Sequence, residues 1–433
     1  MAKVHVIHAT TGANTYAVRF NKLSLAFSCL FVANLVTEPL KAYVNEPLPW
    51  MLDPPLLNHQ NDGTFVNSTY QLFAAKFNNE TLSPDTMFSR DKGANIALLR
   101  YNVTLPSKEV DHCNYHLLQF PGQEEHLGNN DTDLPILGAI LFGNDMIAFV
   151  CNFLAQNAST QRAMPRYMCQ HLTIGGSFVI SHTCLWIVPL SSSGSFSAYH
   201  AFHVVDQAPW SWMKFGLRLG VSAYIFVEVW RLYCRHYIPL LYNLKILGIQ
   251  HDDRIPVVYE IQVGDPTWII LCHPYICVAM TVDILYSTAY SMVSLFRVSQ
   301  LQDSWQFVVG SFSGSNFVWA SYTAMRFSTP LIKFLRWESK FEPLDPGIMT
   351  LTSAFYAGPM IYLMCQSPLV LMMQFLDSSS PTAIMEANEV SLGMSTFLFL
   401  FASVPLFHAA IARLIHQRKG RTSMFHKKEG KTQ

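Results

Sequence analysis

Apolar residues dominate the second half of the chain, in runs long enough to cross a bilayer. A membrane-spanning helix needs about 20 mostly apolar residues, and runs of that kind occur at 212–232, 267–287, 304–325, 349–375 and 391–412. A weaker run at 23–44 is typical of either a signal peptide or an uncleaved signal-anchor, and both send residue 45 to the lumen. The pattern predicts an α-helical polytopic membrane bundle of about six transmembrane helices, five in 211–412 and the sixth at 23–44, after a cytosolic tail at 1–22.

Residues 45–210 show a different pattern, with short runs rich in strand-forming residues. Gly, Asn, Asp and Pro separate these runs, which lie at Ile96–Leu105, Tyr115–Phe120, Ile136–Phe142, Met146–Leu154, Gly176–Trp186 and Phe196–Val205. This predicts one mainly-β or α+β lumenal ectodomain.

Eight spans are an alternative to six, because Pro135–Ala155 and Leu172–Leu190 are also apolar enough to cross a bilayer. Both together would leave the orientation of the later helices unchanged. Against this alternative, Gly143-Asn144-Asp145 resembles a hairpin turn within the first run. Eight spans would also place the sequon at Asn157 in the cytosol.

Charge is scarce and sorted along the chain. Of 433 residues only 13% are charged and 50% are hydrophobic, whereas an average soluble protein has roughly 25% charged residues. Lys and Arg concentrate in 1–22, 231–266, 326–347 and the basic tail 413–433, which by the positive-inside rule makes both termini cytosolic. The lipid bilayer is thus the predicted partner, in the plasma membrane or an endomembrane. The net charge of zero gives no case for a nucleic-acid partner.

Five Asn-x-Ser/Thr sequons cluster in the predicted ectodomain. Such sites are glycosylated in exposed loops on the lumenal side of secretory membranes. The candidate glycosylation sites are Asn67, Asn79, Asn102, Asn130 and Asn157. Their position agrees with the charge asymmetry, so we expect a glycoprotein.

Four of the nine cysteines also fall in the ectodomain. Because an oxidising compartment favours disulfides, the even number predicts at least one disulfide among Cys113, Cys151, Cys169 and Cys184, with three connectivities open. Free buried thiols are the alternative.

Several predicted spans contain polar or ionisable residues, which are costly in hydrocarbon and usually face a bundle interior. The helical rise puts Arg218 and Asp283 at similar depth in the outer half of two antiparallel helices. It puts Glu228 and His273 at similar depth in the inner half. With Asn316, they form a candidate intramembrane polar network. The alternative is that the charged ends extend to the interfaces.

No catalytic motif is evident, and the sequence predicts neither a cofactor nor a metal site. Asp111-His112-Cys113-x-x-His116 and His200-x-x-His203 with Asp206 are the clusters that most resemble metal ligands. However, His200 and His203 would point to opposite faces of a strand.

The stretch Tyr259-Glu-Ile-Gln-Val-Gly-Asp-Pro-Thr267, the apolar run Trp268–Ser287 and Trp337-Glu-Ser-Lys-Phe341 resemble a family of multi-pass membrane proteins from water moulds. The resemblance covers the C-terminal half. It implies the membrane architecture but no activity, because that family has no assigned one.

The function expected from the sequence is non-enzymatic binding or sensing of an extracellular ligand or protein partner through the ectodomain. The alternative is a solute transporter or ion channel formed by the C-terminal helices. The large ectodomain favours the first function, and the polar residues in several helices favour the second. The oligomeric state stays open.

Overall fold

The structure is a computed structural model. It describes residues 3–8, 17–53, 64–78, 80–83, 86–104, 144–163, 166–190, 195–246, 257–298, 303–338 and 387–429. Predictions on other residues lie outside this description; they include the span at 349–375, Cys113 and the sequons at Asn79 and Asn130.

A six-stranded sheet is the largest β-structure of the described residues. Its strands follow the order β3-β4-β7-β6-β5-β9, with bounds β3 Phe88–Asp91, β4 Ile96–Thr104, β5 Arg166–Ile174, β6 Phe178–Pro189, β7 Ser195–Val204 and β9 Ala387–Glu389. Neighbouring strands are antiparallel except β5 and β9, which run parallel. A strand from the C-terminal part of the chain therefore completes a sheet that is otherwise built from residues 88–204.

Alternate residues of the strands face two different helical layers. On one face, Ile96 and Leu98 pack against Phe73 of helix α2 (Phe65–Lys76). On the other face, Leu99 belongs to the core formed with helix α3 (Asn144–Leu154) and helix α9 (Ser291–Val298). The period of two is what a strand buried on both faces requires.

The β5–β6 hairpin connects the sheet to the C-terminal helix. Gly175 and Gly176 have φ values of +66° and +75° at its turn, a conformation that glycine adopts without steric cost. Their backbone N–H groups donate to the Glu389 carboxylate at 3.1 and 2.6 Å. The same carboxylate accepts from the backbone N–H of Ser391 at 3.0 Å. Glu389 thus joins the hairpin turn to the start of helix α12 (Ser391–Glu429).

A smaller, three-stranded sheet joins the N-terminal segment to the middle of the chain. Its order is β1-β8-β2, with bounds β1 Lys3–His8, β2 Ala17–Phe20 and β8 Val257–Gln262. Asn21 follows β2 and caps helix α1 (Lys22–Thr37), where its side chain accepts from Ser24 N. The Asn21 amide also donates to Glu260 of β8 at 2.7 Å.

The remaining helices lie beside the two sheets or around a second core. These are α4 Ala158–Ala163, which lies beside the larger sheet, and α5 Ala208–Val229, α6 Arg235–Ile246, α7 Thr267–Leu271, α8 Pro274–Tyr286, α10 Ser304–Gly314 and α11 Val318–Phe334. Helices α5, α7, α8 and α11 form the second core with α1 and α12, whereas α6 packs against β8 of the smaller sheet. A π-helical turn at Trp230–Cys234 joins α5 to α6. Leu35 of α1, Ile225 of α5, Met280 of α8, Trp319 of α11 and Phe401 of α12 are buried together.

The prediction of a six-span bundle is wrong. Within the described residues, two helical segments are long and apolar enough to cross a membrane, Lys22–Met51 and Ser391–Leu414, or three if the bent pair Pro274–Tyr286 and Thr288–Val298 is one span. These two match the predicted runs at 23–44 and 391–412. They are compatible with membrane association.

The other described runs differ from continuous apolar spans for physical reasons. The run at 212–232 contains Lys214, Arg218 and Glu228, all buried against protein partners. The run at 267–287 is interrupted at Cys272 and His273, between α7 and α8. A 3₁₀ turn at Ser315–Phe317 divides the run at 304–325. The charged side chains of the first run contact protein partners, whereas apolar residues of all three runs, such as Phe226, Tyr275 and Trp305, are exposed.

Two local predictions also need correction. Residues 146–154 form helix α3, not a strand, because Met146, Val150 and Phe153 follow the helical spacing of four and three and are buried on one side. Asn144 begins that helix, so the expected hairpin turn is absent there. Leu172–Leu190 contains the end of β5 and all of β6, which contradicts the eight-span alternative.

The prediction of at least one disulfide is confirmed. Cys169 on β5 and Cys184 on β6 are directly opposite one another and bonded, with a Cα–Cα distance of 4.1 Å. Cys151 is also disulfide-bonded. The Cys169–Cys184 bond joins adjacent strands and so stabilises the β5–β6 pairing on the α2 side of the sheet.

Candidate functional site: a buried ion-pair cluster

Arg218 is the centre of a buried group of charges. It lies on α5, is 1% exposed, and donates from Nη1 and Nη2 to the two carboxylate oxygens of Glu46 at 2.9 and 2.7 Å. Its Nε donates to Asp283 Oδ1 of α8 at 2.8 Å, and Nη2 also donates to Ser287 Oγ at 2.7 Å. The ring of Tyr43 lies 4.8 Å from the guanidinium carbon. A planar guanidinium suits such a fork-like arrangement better than an ammonium group would.

Lys214 extends the cluster by one helical turn. It precedes Arg218 by four residues and therefore lies on the same face of α5. Its ammonium donates to Asp206 Oδ2 at 2.6 Å and lies 3.3 Å from Glu46 Oε2. Burial on its own would lower the pKa of Lys214, but the carboxylates of Glu46 and Asp206 raise it above the ordinary value. Lys214 is therefore charged at neutral pH.

Asp206 connects the cluster to the six-stranded sheet. It follows β7 directly and accepts from the hydroxyl of Tyr290 at 3.0 Å. That hydroxyl accepts from the Asn95 amide at 2.8 Å, and the same amide donates to the backbone oxygen of Val204 at 3.0 Å. Asn95 lies in the turn between β3 and β4 with φ of +56°. The ends of β4 and β7 are thus hydrogen-bonded to the charged groups.

We call Glu46, Asp206, Lys214, Arg218 and Asp283 the ion-pair cluster. Its three carboxylates and two cations come from the segment after α1, the end of β7, α5 and α8. Removing one partner from a buried pair typically costs about 3–5 kcal/mol, because the other charge is left uncompensated. The cluster therefore holds the larger sheet and the helices in one relative position.

The predicted polar network is distributed over several places. Arg218 and Asp283 are in contact, as described above. Glu228 instead accepts from Arg231 at 2.8 Å, and His273 lies 3.5 Å from the hydroxyl of Tyr224. Glu228 and His273 are thus not paired. Asn316 lies in the 3₁₀ turn at Ser315–Phe317, apart from these contacts.

Sequence reasoning missed three members of the cluster. Glu46 and Asp206 lie outside the apolar runs, in connecting segments whose position only the fold decides. Lys214 had a local signal, because its spacing of four from Arg218 puts two cations on one helical face. Two adjacent buried cations require more than the single acidic partner, Asp283, that the sequence suggested.

The histidines of the strands do not form a metal site. His200 and His203 both lie on β7, on opposite faces, and no group of three or more His, Cys, Asp or Glu side chains in the described ranges could hold a metal ion. His203 is instead aligned with His182 and His171 across β7, β6 and β5. His200 contacts Thr183 Oγ1 at 2.9 Å, and its complete burial lowers its pKa to about 3. Asp111, His112 and His116 lie outside the described residues.

Three of the five sequons can be located. Asn67 lies on α2, Asn102 on β4 and Asn157 just before α4, and all three side chains are exposed. Attachment of a glycan at these positions stays a prediction.

No protein-family model matches the chain, and neither a curated protein nor a solved structure matches it. The described residues show the architecture of the protein. It has a six-stranded sheet with a disulfide, a second small sheet, and two helices with the length and composition of membrane spans. The resemblance to the water-mould family stays a prediction.

Proposed function

We propose that this protein is a membrane-associated binding or sensing protein without enzymatic activity, in which the six-stranded sheet faces the ligand. The observation that carries the proposal is the ion-pair cluster, because it connects the ends of the sheet strands to two helices. A ligand that displaces the sheet would have to move Asp206, and with it Lys214 and α5. The ligand is an extracellular molecule or a protein.

The positions of the two sheets support a specific orientation. Helix α1 begins beside the three-stranded sheet, where Asn21 N donates to Ile261 O at 3.0 Å. Helix α12 begins beside the six-stranded sheet, where Val390 N donates to Thr173 O at 3.0 Å. With α1 and α12 as spans, the larger sheet is lumenal and glycosylated, α1 is a signal-anchor, and both termini are cytosolic. Because β8 pairs with β1 and β2, which precede α1, this orientation also requires the chain to cross between β7 and β8 and again between β8 and β9.

A transporter or channel is the second candidate function, because charged residues are buried among the helices. The pairing of the charges favours the first function. Each cation of the ion-pair cluster is bound to two carboxylates, which leaves the cluster occupied by its own side chains. A permeation path would instead need groups that exchange their partners for the solute.

Hydrogen exchange of the purified full-length protein tests the proposal. Asp206→Asn should reduce protection both at the end of β7 and in α5, because the charge that links them is lost. Arg231→Gln is the matched control, since the exposed side chain of Arg231 pairs with Glu228 one helical turn away, outside the ion-pair cluster. Changes confined to the strand, or ion flux above that of empty liposomes after reconstitution, would contradict the proposed function.

A further inference from the structure

Two arginines from different elements meet beside the six-stranded sheet, separate from the ion-pair cluster. The guanidinium of Arg297, in the last turn of α9, lies 5.0 Å from the centre of the Phe88 ring on β3. Arg90 is two residues after Phe88 and therefore lies on the same face of that strand. Arg297 is 8% exposed.

Both guanidinium groups have only neutral partners in the described part of the chain. Arg90 donates from Nη2 to Asn45 O at 3.0 Å and to Asn95 Oδ1 at 2.6 Å, with a longer contact from Nη1 to Asp91 O at 3.4 Å. Arg297 donates from Nη1 to Gln306 Oε1 at 3.1 Å. The Nε atoms of both arginines are buried and have no hydrogen-bond partner. A buried charge is normally paired, because its desolvation is costly.

The nearby carboxylates are already bound to other cations. Asp91 pairs with Lys76, and Glu46 holds Arg218 with both of its oxygens. A third cation, Lys92, donates to Tyr43 O at 2.9 Å and likewise has no carboxylate partner among the described residues. This corner of the sheet therefore carries positive charge that the described side chains do not neutralise.

The surrounding contacts hold the two arginines in place. The Asn45 amide donates to Ser294 Oγ at 2.7 Å and to Ser313 Oγ at 2.6 Å. These bonds join α9 to α10 one helical turn before Arg297. At Gly310 of α10, an added Cβ would lie 2.8 Å from Arg297 Cβ and 2.9 Å from Ser294 O. Glycine at this position permits the close approach of the two helices that orients Arg297.

The pKa values of Arg90 and Lys92 are lowered by burial and by the neighbouring cations. Burial lowers the pKa of Arg90 to about 10; Arg297 contributes to this decrease, and Tyr290, Asp91 and Glu46 oppose it. Burial, Arg90 and Arg297 lower the pKa of Lys92. A bound anion would offset the repulsion between these cations and so raise both pKa values.

We propose that Arg90 and Arg297 bind an oxyanion, a phosphate or carboxylate group, with Lys92 as a third source of positive charge. Guanidinium groups bind such anions through paired, charge-assisted hydrogen bonds, and the partly exposed side chains of Arg90 and Lys92 give an anion access to the site. The anion is either a free solute or the headgroup of an acidic lipid. The site is independent of the binding function proposed above.

Thermal unfolding of the full-length protein in uncharged detergent, with inorganic phosphate or chloride at equal ionic strength, tests this site. We expect phosphate to raise the Tm in a saturable way that chloride does not reproduce. Arg297→Gln should weaken phosphate binding roughly tenfold to a hundredfold, the effect of losing hydrogen bonds to a charged group. Arg231→Gln, which neutralises an exposed arginine, should leave phosphate binding unchanged.

Two further measurements complete the test. Mixed micelles with phosphatidic acid or phosphatidylcholine separate the sources: a response to phosphatidic acid alone identifies a lipid headgroup, and a response to phosphate identifies a free anion. If Arg297→Gln fails to fold, Arg90→Lys and equilibrium dialysis of the unaltered protein against phosphate replace it. The proposal is overturned if neither phosphate nor phosphatidic acid stabilises the unaltered protein, or if Arg297→Gln and Arg231→Gln respond alike.

Discussion

Arg218 and Asp283 permit a double-mutant test of the ion-pair cluster. Arg218→Met removes the cation and leaves two buried carboxylates, Glu46 and Asp283, without their main partner. Asp283→Asn keeps the shape of the side chain and leaves Arg218 bound to Glu46 through two hydrogen bonds. The arginine substitution should therefore be the more damaging of the two.

The magnitudes follow from these contacts. Arg218→Met should lower the free energy of unfolding by about 3–5 kcal/mol, the usual cost of breaking a buried pair. Asp283→Asn should lower it by about 1.5–3 kcal/mol, the contribution of one hydrogen bond to a charged group. In the Arg218→Met background, Asp283→Asn removes an unpaired carboxylate. It should then be neutral or stabilising, so that the double variant is less destabilised than the sum by roughly 2 kcal/mol.

Urea unfolding of the purified full-length variants, followed by tryptophan fluorescence, measures these differences from midpoints and slopes. Arg19→Met is the control, because the solvent-exposed ion pair of Arg19 with Glu260 should contribute little to stability. Additive effects of Arg218→Met and Asp283→Asn, within about 0.5 kcal/mol, would refute the reasoning that these charges compensate each other.

Three further results are expected. Cys169→Ala should destabilise the protein by about 3 kcal/mol, because the bond to Cys184 closes a loop with a sequence separation of 15; equal urea midpoints under non-reducing conditions would contradict this. His200 stays neutral in the folded protein, whereas in the unfolded chain it gains a proton below about pH 6.5. His200 should therefore lower the free energy of unfolding by about 1.4 kcal/mol per pH unit between about pH 6 and pH 4, and His200→Gln should remove this contribution from the measured slope. Glycosidase treatment should raise the gel mobility of the protein expressed in a secretory host, and Asn157→Gln should remove one step of that shift; unchanged mobility would exclude glycosylation.

The sequence pattern predicted several strands correctly, because the alternation of residues within a strand is a local property of the sequence. Ile96–Leu105 and Phe196–Val205 alternate residues between two faces, and they coincide with β4 and β7 to within a residue. The same reasoning failed at residues 146–154. A short apolar run there fits strand and helix alike, and burial on one side of α3 decides between them.

Three features could be predicted from the amino-acid sequence by itself. They are two apolar helices of spanning length, cysteines in a domain that forms a disulfide, and opposite charges at Arg218 and Asp283. Only the tertiary structure decided that Cys169 pairs with Cys184, that Glu389 binds the β5–β6 turn, and that Glu46 and Asp206 meet the cations of α5. It also decided that three other apolar runs are interrupted or carry charged residues bound to protein partners. Hydropathy is a local property that indicates whether a residue favours burial away from water. The partners of a buried charge, in contrast, come from segments far apart in the chain. Their meeting depends on the whole fold.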